Sequence, residues 1–289
     1  KEMYTFDDKG GRSVTLRPEF TAGVIRSAIE KGLVNGALPV KAAYVGGCYR
    51  YEKPQAGRLR EFHQFGVEYF GTQNPSADAE MMQLPMLLYR RLGLKGLTLN
   101  INSIGCPKCR KAYNEKLREY LSGHYDELCD TCKSRYERNP MRILDCKSPV
   151  CKQIAKGAPL LIDNICQECE AHFEQVKKYL EAVGMDYEID PYIVRGLDYY
   201  TKTVFEITAQ NKNSNNTICG GGRYDGLVEE LGGNATPACG FALGMERLLL
   251  TMEEQGIEIP DTSNVKIFVG SMGEQSSMFA HRLVQELRS

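Results

Sequence analysis

No apolar run in the 289-residue sequence approaches the roughly 18 residues that a membrane-spanning helix needs, and neither end shows a secretory leader pattern. The expectation is a soluble cytoplasmic protein without a membrane partner. A charge excess is also missing: 36 Lys and Arg face 37 Asp and Glu, for a formal charge of -1. There is therefore no global nucleic-acid signature, and any polyanion must be met by local patches. The chain lacks Met at its first position and stops at Ser289 just after a helix-like run, as expected of a piece of a longer protein. Eleven cysteines in a reducing compartment argue for metal ligands or buried thiols rather than a disulfide framework. The length suffices for a large core and more than one domain.

The most informative stretch runs from Ala43 to Phe70, AYVGGCYRYEKPQAGRLREFHQFGVEYF. Read with a period of two, it is two strands joined by a polar loop, Lys53 to Arg60, that carries Pro54, Gly57 and two arginines. In the second arm Phe62, Gln64, Gly66 and Glu68 share one face, while His63, Phe65, Val67 and Tyr69 share the other. The second set is a core face. The first places a ring, an amide and a carboxylate around a glycine gap, and Arg50 and Glu52 share a face of the first arm. Such a row is a poor core and a good ligand floor; the plainer reading is an amphipathic hairpin with a solvated face.

Strand and helix periods alternate around this hairpin. Ser13 to Leu16 reads as a strand, followed by a helix whose first turn holds Pro18, Glu19 and Thr21, an ordinary helix-start pattern. Asp78 to Leu92 reads as a helix, Leu97 to Ile101 as a strand, and Tyr187 to Ile207 returns to strand periodicity. Cys219 to Asp225, CGGGRYD, reads as a glycine-rich turn, whose backbone can lie close to a ligand. Ala238 to Leu250 reads as a short strand entering a helix, with Arg247 at the helix start. The polar stretch Glu253 to Asn264 reads as a linker, then Val265 to Gly270 as a strand and Ser276 to Leu287 as a helix.

Eight of the eleven cysteines fall between Cys106 and Lys178: Cys106-x-x-Cys109, Cys129-x-x-Cys132, Cys146, Cys151 and Cys166-x-x-Cys169. They suffice for one or two four-thiolate zinc sites holding a small helical insert together, and buried free thiols fit the same spacing. The segment carries 14 Lys and Arg against 11 Asp and Glu, a mild excess suited to phosphate contact.

Arginine, glutamate, a basic loop, Phe-His-Gln and Glu, in the order of Arg50 to Glu68, resemble motif 2 of the class II aminoacyl-tRNA synthetases, most closely the histidyl-tRNA synthetases. Thr15 to Thr21 is similar to that family's TLRPE-x-T segment, with Phe20 where glycine is common. Arg195 to Glu206, RGLDYYTKTVFE, resembles a signature of the same family, and Ala238 to Leu250 resembles motif 3. Arg138 to Asp145 resembles its insertion domain, of a kind that leans on the tRNA acceptor stem. The chain is identified as a bacterial-type member truncated at both ends, with motif 1 expected before Lys1.

The resemblance implies an α+β fold: a class II synthetase antiparallel sheet flanked by helices, with a cysteine-rich helical insertion domain and the start of an α/β anticodon-binding domain. The implied boundaries are residues 1–105 and 179–255 for the catalytic domain, 106–178 for the insertion, 256–264 for a linker and 265–289 for the partial anticodon-binding domain. The implied activity is a histidine-tRNA ligase using L-histidine, ATP, Mg2+ and tRNA(His), homodimeric in the full-length protein. Its catalytic residues would be Arg50 and Arg195. ATP would be bound by Arg50, Glu52, Arg58, Phe62 and Arg247, and histidine by Glu19, Thr21, Gln64, Glu68, Arg195, Tyr199, Tyr200 and Tyr224. Two rivals stay open: a synthetase-like regulatory subunit of histidine biosynthesis that charges no tRNA, and a zinc-dependent RNA-binding module built on the cysteines. Intact RGLDYY, Arg50, Glu68 and Arg247 argue against the first, and motifs 2 and 3 are left over by the second.

Overall fold

The hairpin expected at residues 43–70 forms one edge of a seven-stranded sheet in the computed structural model, which describes residues 3–52, 58–144, 146–193, 199–210, 215–260 and 265–288. The chain divides into two compact units, Lys1–Ile257 and Glu258–Ser289. In the first, β1 (Thr5–Asp7) and β2 (Ser13–Thr15) pair as an exposed ribbon closed by Asp8, which accepts from Gly10 N at 2.8 Å. Helix α1 (Thr21–Glu30) follows, then β3 (Val40–Tyr49), β4 (Glu61–Phe70), α2 (Pro75–Arg91) and β5 (Leu97–Ser103). Four helices come next: α3 (Pro107–Ser122), α4 (Asp130–Arg138), α5 (Pro149–Lys156) and α6 (Gln167–Ala182). The unit ends with β6 (Glu188–Ile189), β7 (Thr201–Gln210), β8 (Asn215–Arg223), α7 (Leu227–Glu230), β9 (Ala238–Gly244) and α8 (Met245–Glu254).

The sheet order is β3-β4-β9-β8-β7-β5-β6, antiparallel throughout except for the parallel β5–β6 pair. Its two faces follow the expected alternation. One carries Val67, Leu99, Ile101, Phe205, Ile207, Phe241 and Leu243 against Met81, Met82, Met86 and Tyr89 of α2 and Phe173, Val176 and Leu180 of α6. Each such buried side chain is worth about 1.5–3 kcal/mol, which makes this layer the anchor for the opposite face. A second cluster joins Tyr113, Leu117 and Leu121 of α3 and Ile154 of α5 to Ile25 of α1, Phe70 of β4 and Val204 of β7, so the cysteine-rich helices share a core with the sheet.

One buried polar knot ties the helices to the sheet. Arg223, 0% exposed, donates from Nε to Asp78 at 3.0 Å and from Nη1 to the Thr72 carbonyl at 2.9 Å, while His172 of α6 meets the same Asp78 at 3.2 Å. Burial pushes the Asp78 carboxyl up, but the guanidinium and imidazole beside it outweigh that and hold it below its ordinary value.

Four expectations need correction. Helix α1 begins at Thr21, not at Pro18, because residues 17 and 18 are pinned to β3: Tyr49 N donates to Arg17 O at 2.9 Å and Arg50 Nε to Pro18 O at 2.7 Å. CGGGRYD is not a turn, because Cys219 to Arg223 lie inside β8 between two partner strands. Tyr187 to Ile207 is not one strand: β6 and β7 are separated by residues 190–200. In the second unit α9 (Glu274–Arg288) forms as expected, but Val265 to Gly270 is not a strand, since it has no partner strand among the described residues and Phe268 is 89% exposed. Among the described residues no helix is long and apolar enough to cross a membrane.

Candidate active site

The face of the sheet away from α2 has a floor of small residues. Register places Gln64 beside Gly244, Gly66 beside Ala242 and Glu68 beside Gly240, then Ala242 beside Gly220 and Gly240 beside Gly222. Glycines here are needed for space. A Cβ on Gly240 would fall 2.1 Å from Glu68 Oε2 and 2.5 Å from Tyr224 Oη. The glycine gap expected at Gly66 is filled by a ring, since a Cβ there would lie 2.3 Å from Tyr44 Oη.

At one end this floor opens into a cleft of about 450 Å³ lined by Arg50, Glu52, Arg58, Phe62, Gln64 and Arg247, with Lys147, Glu206, Glu246 and the glycines around them. Arg50 and Arg58 straddle Glu52 at 3.7 and 3.6 Å, and the Arg50 guanidinium lies 4.9 Å from the Phe62 ring centre. Arg247, third residue of α8, donates to the Thr217 carbonyl at 2.7 Å; burial and the nearby Arg58 cation lower its pKa. Glu246 accepts from His63 N at 2.9 Å and His63 Nδ1 at 2.8 Å, fixing the start of α8 to β4. The arrangement can grip a polyanion with three arginines while a ring offers a stacking face.

At the other end the site closes. Glu68, 1% exposed, accepts from Thr21 Oγ1 at 2.8 Å and from the Tyr224 hydroxyl. Burial pushes its carboxyl up to about 8, against the opposing Thr21 hydrogen bond. Tyr199, Tyr200 and Tyr224 form a ring cluster with centres 4.7, 5.5 and 6.0 Å apart. The Glu19 charge is felt at Glu68, Tyr44 and Tyr199, so it belongs to this pocket. Its Oε1 accepts from Ala22 N at 3.1 Å, whereas Oε2 is buried and has no hydrogen-bond partner among the described residues. Gln64, at the junction of the two ends, accepts from the Cys48 thiol at 3.4 Å. Phe20 packs along β3, stacked 4.9 Å from Tyr44 and over Gly46, so its ring buttresses the pocket wall.

The eight cysteines separate into two groups, Cys106, Cys109, Cys166, Cys169 and Cys129, Cys132, Cys146, Cys151, with the sulfurs of each group within 4.8 Å of one another. Measured Sγ pairs are 3.6 Å for Cys106–Cys109 and 3.9 Å for Cys109–Cys169 and Cys129–Cys146. A tetrahedron with metal–sulfur bonds of about 2.3 Å has edges of about 3.8 Å, so both groups fit zinc. Cys106, Cys129 and Cys166 each stand immediately before a helix, and backbone N–H groups support the sulfurs: Cys166 N donates to Cys109 Sγ at 3.1 Å and Cys129 N to Cys151 Sγ at 3.3 Å. Burial raises the Cys106 thiol, but the Cys109 and Lys108 N–H groups outweigh it and hold it at about 7.

The structure thus gathers the expected nucleotide residues in one cleft and Glu19, Thr21, Glu68, Tyr199, Tyr200 and Tyr224 in one pocket. Arg195 lies outside the described residues. Sequence reasoning missed Tyr44, Glu206, Glu246 and Lys147. Lys147 stands beside Cys146, just past the Arg138 to Asp145 segment, and lines the cleft although it is distant in sequence from motifs 2 and 3.

Motif 2 on β4 and motif 3 on β9 run side by side, and that pairing defines a class II aminoacyl-tRNA synthetase catalytic fold. A family model described as histidyl-tRNA synthetase matches residues 1–248. A histidine–tRNA ligase of Clostridium novyi (strain NT) is 56% identical over 289 residues, which are 100% of this chain and 68% of that protein. The chain belongs to the histidyl-tRNA synthetase family. Among solved structures, apo histidyl-tRNA synthetase of S. aureus matches with a TM-score of 0.75 and 45% identity, covering 99% of this chain and 70% of that one. A Bacillus halodurans protein described as an ATP phosphoribosyltransferase regulatory subunit/histidyl-tRNA synthetase matches more weakly, at a TM-score of 0.62 and 25% identity over 86% of this chain and 68% of that one.

Proposed function

We propose that this chain is the catalytic part of a histidine-tRNA ligase, which joins L-histidine to ATP as histidyl-adenylate and then passes the histidyl group to tRNA(His). The observation that carries the reading is the 56% identity to a histidine–tRNA ligase along all 289 residues. The regulatory-subunit alternative is not favoured, because its named representative stands at 25% identity. The reading includes an insertion domain at 106–178, a homodimer of the full-length protein, and a cytoplasmic place beside its tRNA.

Activation brings a carboxylate onto an α-phosphate, an in-line displacement between anions, so the site's task is positioning and charge neutralisation. Arg50 leaves the Phe62 face for the α-phosphate and the substrate carboxylate, which frees the ring to stack on adenine. Arg58 and Arg247 hold the terminal phosphate, and Arg195 supplies charge at the reacting phosphate. Mg2+ adds neutralisation of the triphosphate when bound; Glu52 and Glu206 are the cleft carboxylates that would hold it. The unpartnered Glu19 Oε2 and the Gln64 amide take the ammonium of histidine, with Thr21 beside them. Glu68 with Tyr200 and Tyr224 takes the imidazole, and a side chain without an imidazole N–H leaves that buried carboxyl with the Thr21 and Tyr224 hydroxyls as partners and no donor from the ligand. The two four-cysteine groups hold structural zinc.

ATP–pyrophosphate exchange with each amino acid in turn tests the reading. Exchange with histidine alone is the expected result. Histidine binding without exchange, in this chain and in a full-length protein alike, would make it a regulatory protein instead.

A further inference from the structure

We propose that the Cys106, Cys109, Cys166, Cys169 centre, with zinc bound, is a positioning clamp for the histidine pocket, acting through the backbone of Tyr200 to Lys202. The inference rests on the zinc and histidine readings above and assigns the first metal group a role that the second does not share.

The contacts that join this centre to the pocket come from the ligands' neighbours. Gly105, just before Cys106, accepts from Lys202 N at 2.9 Å, and Ile104 N donates to Lys202 O at 2.8 Å. Arg110, just after Cys109, donates from Nη1 to the Tyr200 carbonyl at 2.9 Å. Glu168, just before Cys169, accepts from Lys202 Nζ at 3.0 Å. The contacts with Gly105, Arg110 and Glu168 thus each come from a residue flanking a cysteine of this one group. Gly105 itself has φ +60°, and a Cβ there would fall 2.6 Å from Cys109 Cβ, so the cluster leaves room for glycine alone.

The clamped segment needs holding. Lys202 has φ +52°, the left-handed region that side chains other than glycine seldom occupy, and it interrupts the β7–β8 register between Thr201 and Val204. Such a conformation persists only where its surroundings over-determine it, and here the surroundings are the two helix starts that the four thiolates join. Tyr200 leads from this point to the pocket: its ring centre is 4.7 Å from Tyr199 and 6.0 Å from Tyr224, whose hydroxyl donates to Glu68. Zinc that fixes α3 against α6 therefore fixes the tyrosines that close around the imidazole. The second group lies elsewhere in the insert, beside Lys147 at the nucleotide cleft.

The test uses the full 289-residue chain, with metal content by elemental analysis and separate histidine and ATP affinities by calorimetry. The variant Arg110→Ala keeps all eight cysteines. It is expected to retain the metal of wild type, to bind histidine at least about ten-fold more weakly, and to bind ATP within about two-fold of wild type, with Arg110→Lys recovering part of the loss. Cys166→Ser/Cys169→Ser should lose half the metal and show the same weakened histidine binding, while Cys146→Ser/Cys151→Ser should lose the other half and leave histidine affinity intact. Wild-type histidine affinity in Arg110→Ala would overturn the clamp, as would a metal-free wild-type protein that binds histidine normally; the histidine reading survives both. A metal-loaded protein that binds ATP but no histidine would instead sink the histidine reading, and the clamp with it.

Discussion

At the nucleotide end of the cleft the charged groups are loosely paired and partly solvated: Arg50 and Arg58 stand 3.7 and 3.6 Å from Glu52, with 32% and 49% of their side chains exposed. At the histidine end, on the same strand β4, Glu68 is 1% exposed and takes hydrogen bonds from the Thr21 hydroxyl and from the Tyr224 hydroxyl. Both ends set polar groups for a ligand, but by different physics. Screened pairs are worth little and rearrange at small cost when a triphosphate arrives. A buried carboxyl with fixed partners is expensive to leave unpaired and therefore discriminates. The nucleotide end is built to adapt, and the histidine end is built to refuse.

The contrast breaks most completely at Glu68. Glu68→Ala should raise the histidine KM, or lower kcat/KM for histidine, by about 30-fold or more, corresponding to ~2 kcal/mol, with little change in the KM for ATP. Unchanged histidine kinetics in exchange assays would remove Glu68 from the pocket. Gly240→Ala attacks the same end through space, since the new Cβ meets Glu68, Tyr224 and the Val67 carbonyl, the last at 2.5 Å. It should cost about 1–3 kcal/mol of stability and weaken histidine binding, both readable in denaturant titrations with and without histidine.

A pH series sharpens the comparison. Because burial lifts Glu68 from 4.5 to about 8, the folded ligand-free protein holds a proton that the unfolded chain releases. Its contribution to stability is fully present below about 4.5 and is lost as pH rises toward and through 8. Glu68→Gln should flatten that part of the stability profile; an unchanged slope between these limits would mean that Glu68 is ionised in the folded state. The smallest effect belongs to the adaptable end. Arg58→Ala should raise the KM for ATP only about two- to five-fold, less at high salt, and leave the histidine KM alone.

How much of this was legible in the sequence depends on the range of the interactions involved. Alternation along Phe62 to Glu68 separated the two faces of β4, because a strand's period is local, but His63, expected on the core face, is exposed and bonds Glu246 instead. The start of α1 was misplaced because its position is set by Arg17 and Pro18 bonding to β3, some thirty residues on. CGGGRYD looked like a turn because glycine-rich runs usually are; the strand interior demands glycine here, since a Cβ on Gly221 would strike the Gly240 carbonyl at 2.2 Å. The first four-cysteine group combines pairs separated by dozens of residues, with all four members of the second lying between them in sequence, so spacing alone left their partition open. Lys147 gave no local signal at all, and neither did Phe20's packing on Tyr44 and Gly46.

The small-residue floor has a consequence for how this gene can drift. At Gly240 a change to any larger residue plants a side chain where a substrate group or a pocket carboxylate must go, and at Gly66 it strikes the Tyr44 ring. The variant then carries its own obstruction, covalently attached, which no concentration of histidine displaces. What these positions require is the absence of atoms, so every replacement meets the steric cost first, before the chemistry of its side chain adds any of its own.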